Sequence, residues 1–126
     1  MLGISETQVR TRLRRMLDIG AVQVIAIVNP LRYGYGTMGW LGLRARPGGR
    51  LQSLADELTR LPNVTYVAIC TGSLDVFAEV VARSQQELME MLDDEIRRIP
   101  ELDHIEVFLY LDLHYKRLRP LPEALV

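Results

Sequence analysis

Four arginines and two threonines fall within the nine residues TQVRTRLRR, with Asp18 as the nearest acidic residue downstream. Read as a helix, this stretch gathers Thr7, Arg10, Thr11, Arg14 and Arg15 on one arc. Guanidinium and hydroxyl groups so arranged can contact phosphates and base edges. The plainer alternative is a solvated basic face. Other reactive types are sparse. His104 and His114 share one face of a predicted strand but lie roughly 33 Å apart at strand rise, too far to act together within one chain. Neither has a Cys, Asp or Glu at metal-ligand spacing. Cys70 stands alone, which excludes an internal disulfide and fits a reducing compartment. It reads as a small core residue, with no histidine or helix start nearby to activate it. No nucleophile motif is present, and no strand feeds a glycine-rich loop ending in Lys-Ser/Thr. No cofactor and no metal are therefore expected.

Charge supports an anionic partner at one end. Residues 1–50 carry eight arginines against Glu6 and Asp18, a formal +6, whereas residues 51–126 carry seven basic and fourteen acidic side chains, a formal −7. At 126 residues the chain holds one domain and an appendage. No apolar run reaches the ~18 residues of a membrane span and no signal peptide opens the chain. A cytoplasmic protein away from membranes is the expectation.

The elements that must position these residues follow in order. Ser5 and Gln8 have capping-box spacing and predict a helix from Glu6 to Ile19, stopped by Gly20. Val9, Leu13, Met16 and Leu17 form its apolar stripe, expected to be buried. AVQVIAIV (21–28) predicts a strand, ended by Asn29-Pro30. LRYGYGT (31–37) is a connector and divides residues 1–36 from residues 37–126. Met38–Arg46 predicts a strand with Leu41, Leu43 and Ala45 opposite Trp40, Arg44 and Arg46. A helix over 50–61 follows, with Leu51, Leu54, Ala55, Leu58 and Leu61 as its stripe. NVTYVAICTGSLDVFAEVVAR (63–83) predicts a hairpin with a type II′ turn at Gly72-Ser73. Its second arm sets Leu74, Val76, Ala78, Val80 and Ala82 against Asp75, Phe77, Glu79, Val81 and Arg83. Ser84 and Glu87 cap a helix to about Ile99, with Met89 and Met91 as packing residues. Asp103–Tyr115 is the last predicted strand, and a loose tail carries Pro120 and Pro122.

The order strand, helix, strand, strand, helix, strand predicts an α+β, ferredoxin-like βαββαβ fold. Both helices cover one sheet face. The other then shows Trp40, Phe77, Val81, Phe108 and Tyr110, too much contiguous apolar surface for a monomer. A homodimer through the sheet faces is expected.

Several motifs in this order carry a resemblance. LGISETQVRTRLRRMLDIGAV, LPNVTYVAICTGSLDVFAEVVAR with its TG-x-x-D, and I-P-E-L-x-x-I-E at 99–106 resemble the Lrp/AsnC (leucine-responsive/asparagine regulator) family of prokaryotic transcription factors. The resemblance covers essentially the whole chain. It implies a RAM effector domain over 37–126, paired into a dimeric α+β sandwich that the family often builds into octamers. It implies a partial winged helix-turn-helix over 1–36, made of recognition helix, wing strand and connector. Carried over by position, Ser5, Thr7, Gln8, Arg10, Thr11 and Arg14 fall in the DNA-reading helix. Thr71, Gly72, Ser73, Leu74 and Asp75 fall at the effector site, where an amino acid or related molecule would bind. The turn's N–H groups suit a carboxylate, and Asp75 suits an ammonium or else pins its own turn.

The family's helices ahead of the recognition helix have no counterpart here, so weak, salt-sensitive, largely non-specific DNA binding is expected. The alternatives are a stand-alone amino-acid-sensing module that joins the oligomers of relatives, and a ferredoxin-like dimeric enzyme resembling haem-pathway decarboxylases. The distant histidines and the missing nucleophile count against the enzyme.

Overall fold

β1 (Thr37–Ala45) is the middle of the sheet, and its composition fits two neighbours and two faces. Leu41 and Leu43 are fully buried on one side, while Trp40 and Arg44 alternate with them on the other. The computed structural model describes residues 3–26 and 30–114. β1 pairs antiparallel with β3 (Val76–Ala82) through Leu41↔Ala78 and Leu43↔Val76. It pairs with β4 (Leu102–Leu109) through Leu41↔Val107 and Leu43↔Ile105. β2 (Val64–Ile69) lies outside β3, giving the order β2-β3-β1-β4. With α2 (Leu51–Thr59) between β1 and β2, and α3 (Gln85–Asp94) between β3 and β4, this is the expected βαββαβ arrangement.

Both helices bury their stripes on the same sheet face. Leu54 and Leu58 of α2, and Leu88, Met91 and Leu92 of α3, pack on Leu41, Leu43, Val76, Ala78 and Val80, and Ala55 of α2 is buried as well. Each large aliphatic side chain buried there contributes about 1.5–3 kcal/mol, which makes this one-sided core the main support of the fold. Ser84 Oγ accepts from Glu87 N at 3.1 Å, as capping requires. Glu87 does not close back onto Ser84, however. Its carboxylate takes the Arg83 N–H, at 2.5 Å. α3 stops at Asp94, short of Ile99, and a 3-10 turn (Ile96–Arg98) follows. Its tighter winding places residues three apart on one side, so Ile96 and Ile99 both reach the core. Met91 is buried, but Met89 is exposed.

Three further departures have physical causes. α1 (Glu6–Asp18) forms with its full capping box: Ser5 Oγ accepts from Gln8 N at 3.2 Å, and Ser5 N donates to Gln8 Oε1 at 2.9 Å. Its apolar stripe is nevertheless open, with Val9, Leu13, Met16 and Leu17 at 39–45% exposure and no α1 residue buried. Caps make a helix locally, whereas burial needs a second element, and none among the described residues supplies it. Ala21–Ala26 is not a strand. A strand needs ladder partners for its N–H and C=O groups, and among the described residues Ala21–Ala26 pairs with no strand of the sheet. β4 ends at Leu109, opposite Gly39, and only Tyr110 N reaches further, to Met38 O. The expected continuation to Tyr115 therefore fails early, and Leu111 is exposed. The predicted strand end at Val28, the Asn29 turn residue, Tyr115 and the tail with Pro120 and Pro122 lie outside the described residues.

Candidate functional site

On α1, Glu6, Thr7, Arg10, Thr11, Arg14, Arg15 and Asp18 line one open cleft of about 480 Å³. Arg12, counted among the four arginines but left off their common arc, joins Thr7, Gln8 and Thr11 on a flanking surface. The helix thus brings Thr7, Arg10, Thr11 and Arg14 together. Ser5 and Gln8 sit at its start, held by each other in the cap. Arg10 pairs with Glu6 at 2.6 Å. Both side chains are largely exposed, so the pair is worth little and yields readily to a stronger anion.

The loop between β2 and β3 is wider than the expected two-residue turn. Ile69 pairs with Val76, Cys70 N donates to Asp75 O at 2.8 Å, and Thr71–Leu74 lie between. Gly72 has φ 127°, which glycine alone adopts easily. Asp75 sets the width because it is also tied to β1. Its N–H donates to Leu43 O at 2.8 Å, and its Oδ2 accepts from Ala45 N at 2.9 Å. The carboxylate occupies the place of a ladder carbonyl, and the chain leaves the pleat there. Leu74 is buried, but it is absent from the cluster that contains Val76, Ala78 and Val80. Its Cδ1 fills the space where a Cβ on Gly42 would stand, on the opposite face, beside the rings of Phe77 and Phe108. The alignment of Leu74 with Val76 and Ala78 read from alternation is thereby corrected. Thr71, Gly72 and Ser73 are exposed at the tip. Their N–H groups and that of Leu74 have no acceptor among the described residues.

The sheet face away from the helices carries Trp40, Tyr66, Ala68, Cys70, Phe77 and Phe108 around an apolar groove of about 400 Å³. Trp40 meets Tyr66 and Phe77 edge-on, with ring centroids 5.9 and 6.4 Å apart. Val81 is buried, not exposed as expected. Tyr66, which is 57% exposed, was missed, although the alternation of β2 contains it. Glu79 lies in the same row, paired with Trp40 on one side and Tyr66 on the other. Its carboxylate accepts from Tyr110 Oη at 2.7 Å and from Thr65 Oγ1 at 2.9 Å. Burial, then the hydrogen bond to Glu79 and its charge, push the Tyr110 hydroxyl well above its ordinary pKa.

The histidines do not form a site. His104 lies 3.5 Å from Glu106, and His114 lies 2.8 Å from Asp112, all exposed. Among the described residues no three His, Cys, Asp or Glu side chains could hold a metal ion, and no helix is long and apolar enough to cross a membrane.

A family model of AsnC-type transcriptional regulators, described as a C-terminal dimeric alpha+beta barrel domain, matches residues 49–118. An HTH-type transcriptional regulator of Pyrococcus furiosus is 31% identical over 107 residues, which is 84% of this chain and 72% of the relative. Another, from Pyrococcus abyssi, is 29% identical over 99 residues, 78% of this chain and 62% of the relative. The structure of E. coli AsnC superposes with a TM-score of 0.80 at 25% identity, over 93% of this chain and 79% of that one. A feast or famine regulatory protein from M. tuberculosis, complexed with L-methionine, superposes with a TM-score of 0.82 over 95% of this chain and 81% of that one. At 20% identity, that likeness concerns the fold alone. These relatives are named regulators rather than enzymes. The topology, the matched span and the identity to these regulators agree, and this chain belongs to the Lrp/AsnC family of transcriptional regulators.

Proposed function

We propose that this chain regulates transcription in the cytoplasm as a paired RAM domain that senses a small molecule at Thr71–Asp75 and contacts DNA through α1. The observation that carries the reading is the aromatic sheet face, where Trp40, Tyr66, Phe77 and Phe108 stand without cover among the described residues. A second copy of the chain supplies that cover symmetrically. Further assembly to octamers belongs to the same reading.

An amino acid suits the loop. The four N–H groups at its tip, without an acceptor among the described residues, can hold a carboxylate. The L-methionine bound to the M. tuberculosis relative supports this class of ligand. Asp75 serves first as a clasp, with one carboxylate oxygen engaged and the other open to an ammonium. On α1, Thr7, Arg10, Thr11 and Arg14 face one way for DNA, with Ser5 and Gln8 at the helix start. A helix whose apolar stripe is unburied is poorly held, so binding is weak and dominated by phosphate contacts.

The open stripe also favours a second reading, a sensing module that enters the oligomers of relatives and does not bind DNA itself. One sample separates the two. Gel shifts at about 50 and about 200 mM salt are run beside a light-scattering mass, with and without amino acids. A shift that fades steeply with salt supports the regulator. Assembly and ligand response with no shift at any salt support the module.

A further inference from the structure

We infer that Leu74 couples the small-molecule loop to the face on which two subunits pair; the inference rests on the reading of both sites given above. Leu74 adjoins the exposed tip Thr71–Ser73, yet its side chain is buried. Its Cδ1 lies over Gly42, the position on β1 where the absence of a side chain leaves room for it. From the place of a Cβ on Gly42, Phe108 Cε2 is 3.3 Å away and Phe77 Cε1 is 3.4 Å away. Both rings line the aromatic groove. One leucine therefore lies over Gly42 beside the floor of the pairing face while its backbone N–H belongs to the ligand-facing tip.

Asp75 makes the connection directional. Its N–H, Oδ2 and C=O are all engaged, with Leu43, Ala45 and Cys70 respectively. The base of the loop is thus fixed to two strands. A ligand that draws the tip's N–H groups toward a carboxylate cannot move Asp75, so the displacement falls on Leu74. Leu74 then bears differently on Phe77 and Phe108, and the face offered to the second subunit changes. Linkage makes the effect reciprocal: pairing alters ligand affinity by the same factor that ligand alters pairing.

The test compares wild type, Leu74→Ala and Gly42→Ala, each titrated with an equimolar mixture of the non-aromatic protein L-amino acids. Sedimentation over a dilution series gives the subunit dissociation constant, calorimetry gives ligand binding, and the emission of Trp40, the single tryptophan, reports on the face. In wild type the ligand shifts the pairing constant by roughly fivefold or more and changes Trp40 emission. In Gly42→Ala, which expels Leu74 from its place over β1 without changing the loop, ligand still binds, but the shift falls below roughly twofold and Trp40 no longer responds. Leu74→Ala lowers the shift in the same way, and Gly42→Ala carries the test if Leu74→Ala fails to fold or to bind. A leucine that merely packs would weaken pairing in both conditions and leave the ligand-induced shift intact. That result overturns the inference while the functional reading stands. Wild type that binds ligand with no change in pairing also overturns it. Wild type that binds none of the amino acids overturns both the coupling and the sensing.

Discussion

The Asp75 carboxylate accepts a hydrogen bond from the Ala45 N–H at 2.9 Å, joining the β2–β3 loop to the end of β1 across thirty residues of chain. In Asp75→Ala this part-buried N–H loses its acceptor, and the expected cost is about 1–3 kcal/mol in urea denaturation. Asp75→Asn keeps an acceptor oxygen and is expected to cost less than about 1 kcal/mol. If Asp75→Ala leaves stability unchanged but abolishes amino-acid binding, the residue acts on the ligand instead.

Tyr110 predicts a behaviour in alkali. Its hydroxyl is held above its ordinary value near 10 by burial first, then by Glu79. The folded chain binds this proton more tightly than the unfolded one. Its contribution to stability is thus whole below about pH 10 and is lost as pH rises further. Wild type should lose more stability than Tyr110→Phe between about pH 10 and about pH 12, seen as converging denaturation midpoints. Parallel pH profiles would show that the Tyr110–Glu79 bond contributes nothing.

α1 is predicted to behave as a separate energetic unit. Ser5→Ala removes the cap and should cost about 1 kcal/mol of helix stability, visible in circular dichroism. The urea midpoint of the sheet domain should not move, because no α1 residue is buried. Arg14→Ala should lower DNA affinity evenly across sequences and reduce the salt slope by about one. A sequence-selective loss would instead mark Arg14 as reading bases.

The βαββαβ order was legible because α2, α3, β1 and β3 each carry a strong periodicity, and each stripe did meet the core. Periodicity names the apolar face of an element but not what lies against it. The stripe of α1 was read correctly as a pattern and wrongly as buried. Val24 and Ile25 show the same limit, since β-branched residues make a strand only where they lie along a ladder partner, and composition does not name that partner. Leu74 escaped alternation because one side chain, Asp75, ends the pleat before it. The aromatic face was foreseen from Trp40, Phe77 and Phe108. Its carboxylate, Glu79, was passed over because Tyr110 and Thr65 reach it from two other segments of the chain.

Pairing through that face is the central claim, and mass tests it most directly. Light scattering at low micromolar concentration should give wild type at twice the chain mass of 14.4 kDa or a higher multiple. Tyr66→Arg, on the most exposed of the groove aromatics, should give a folded protein at 14.4 kDa. Wild type at 14.4 kDa, or a Tyr66→Arg variant with unchanged mass, would contradict the account.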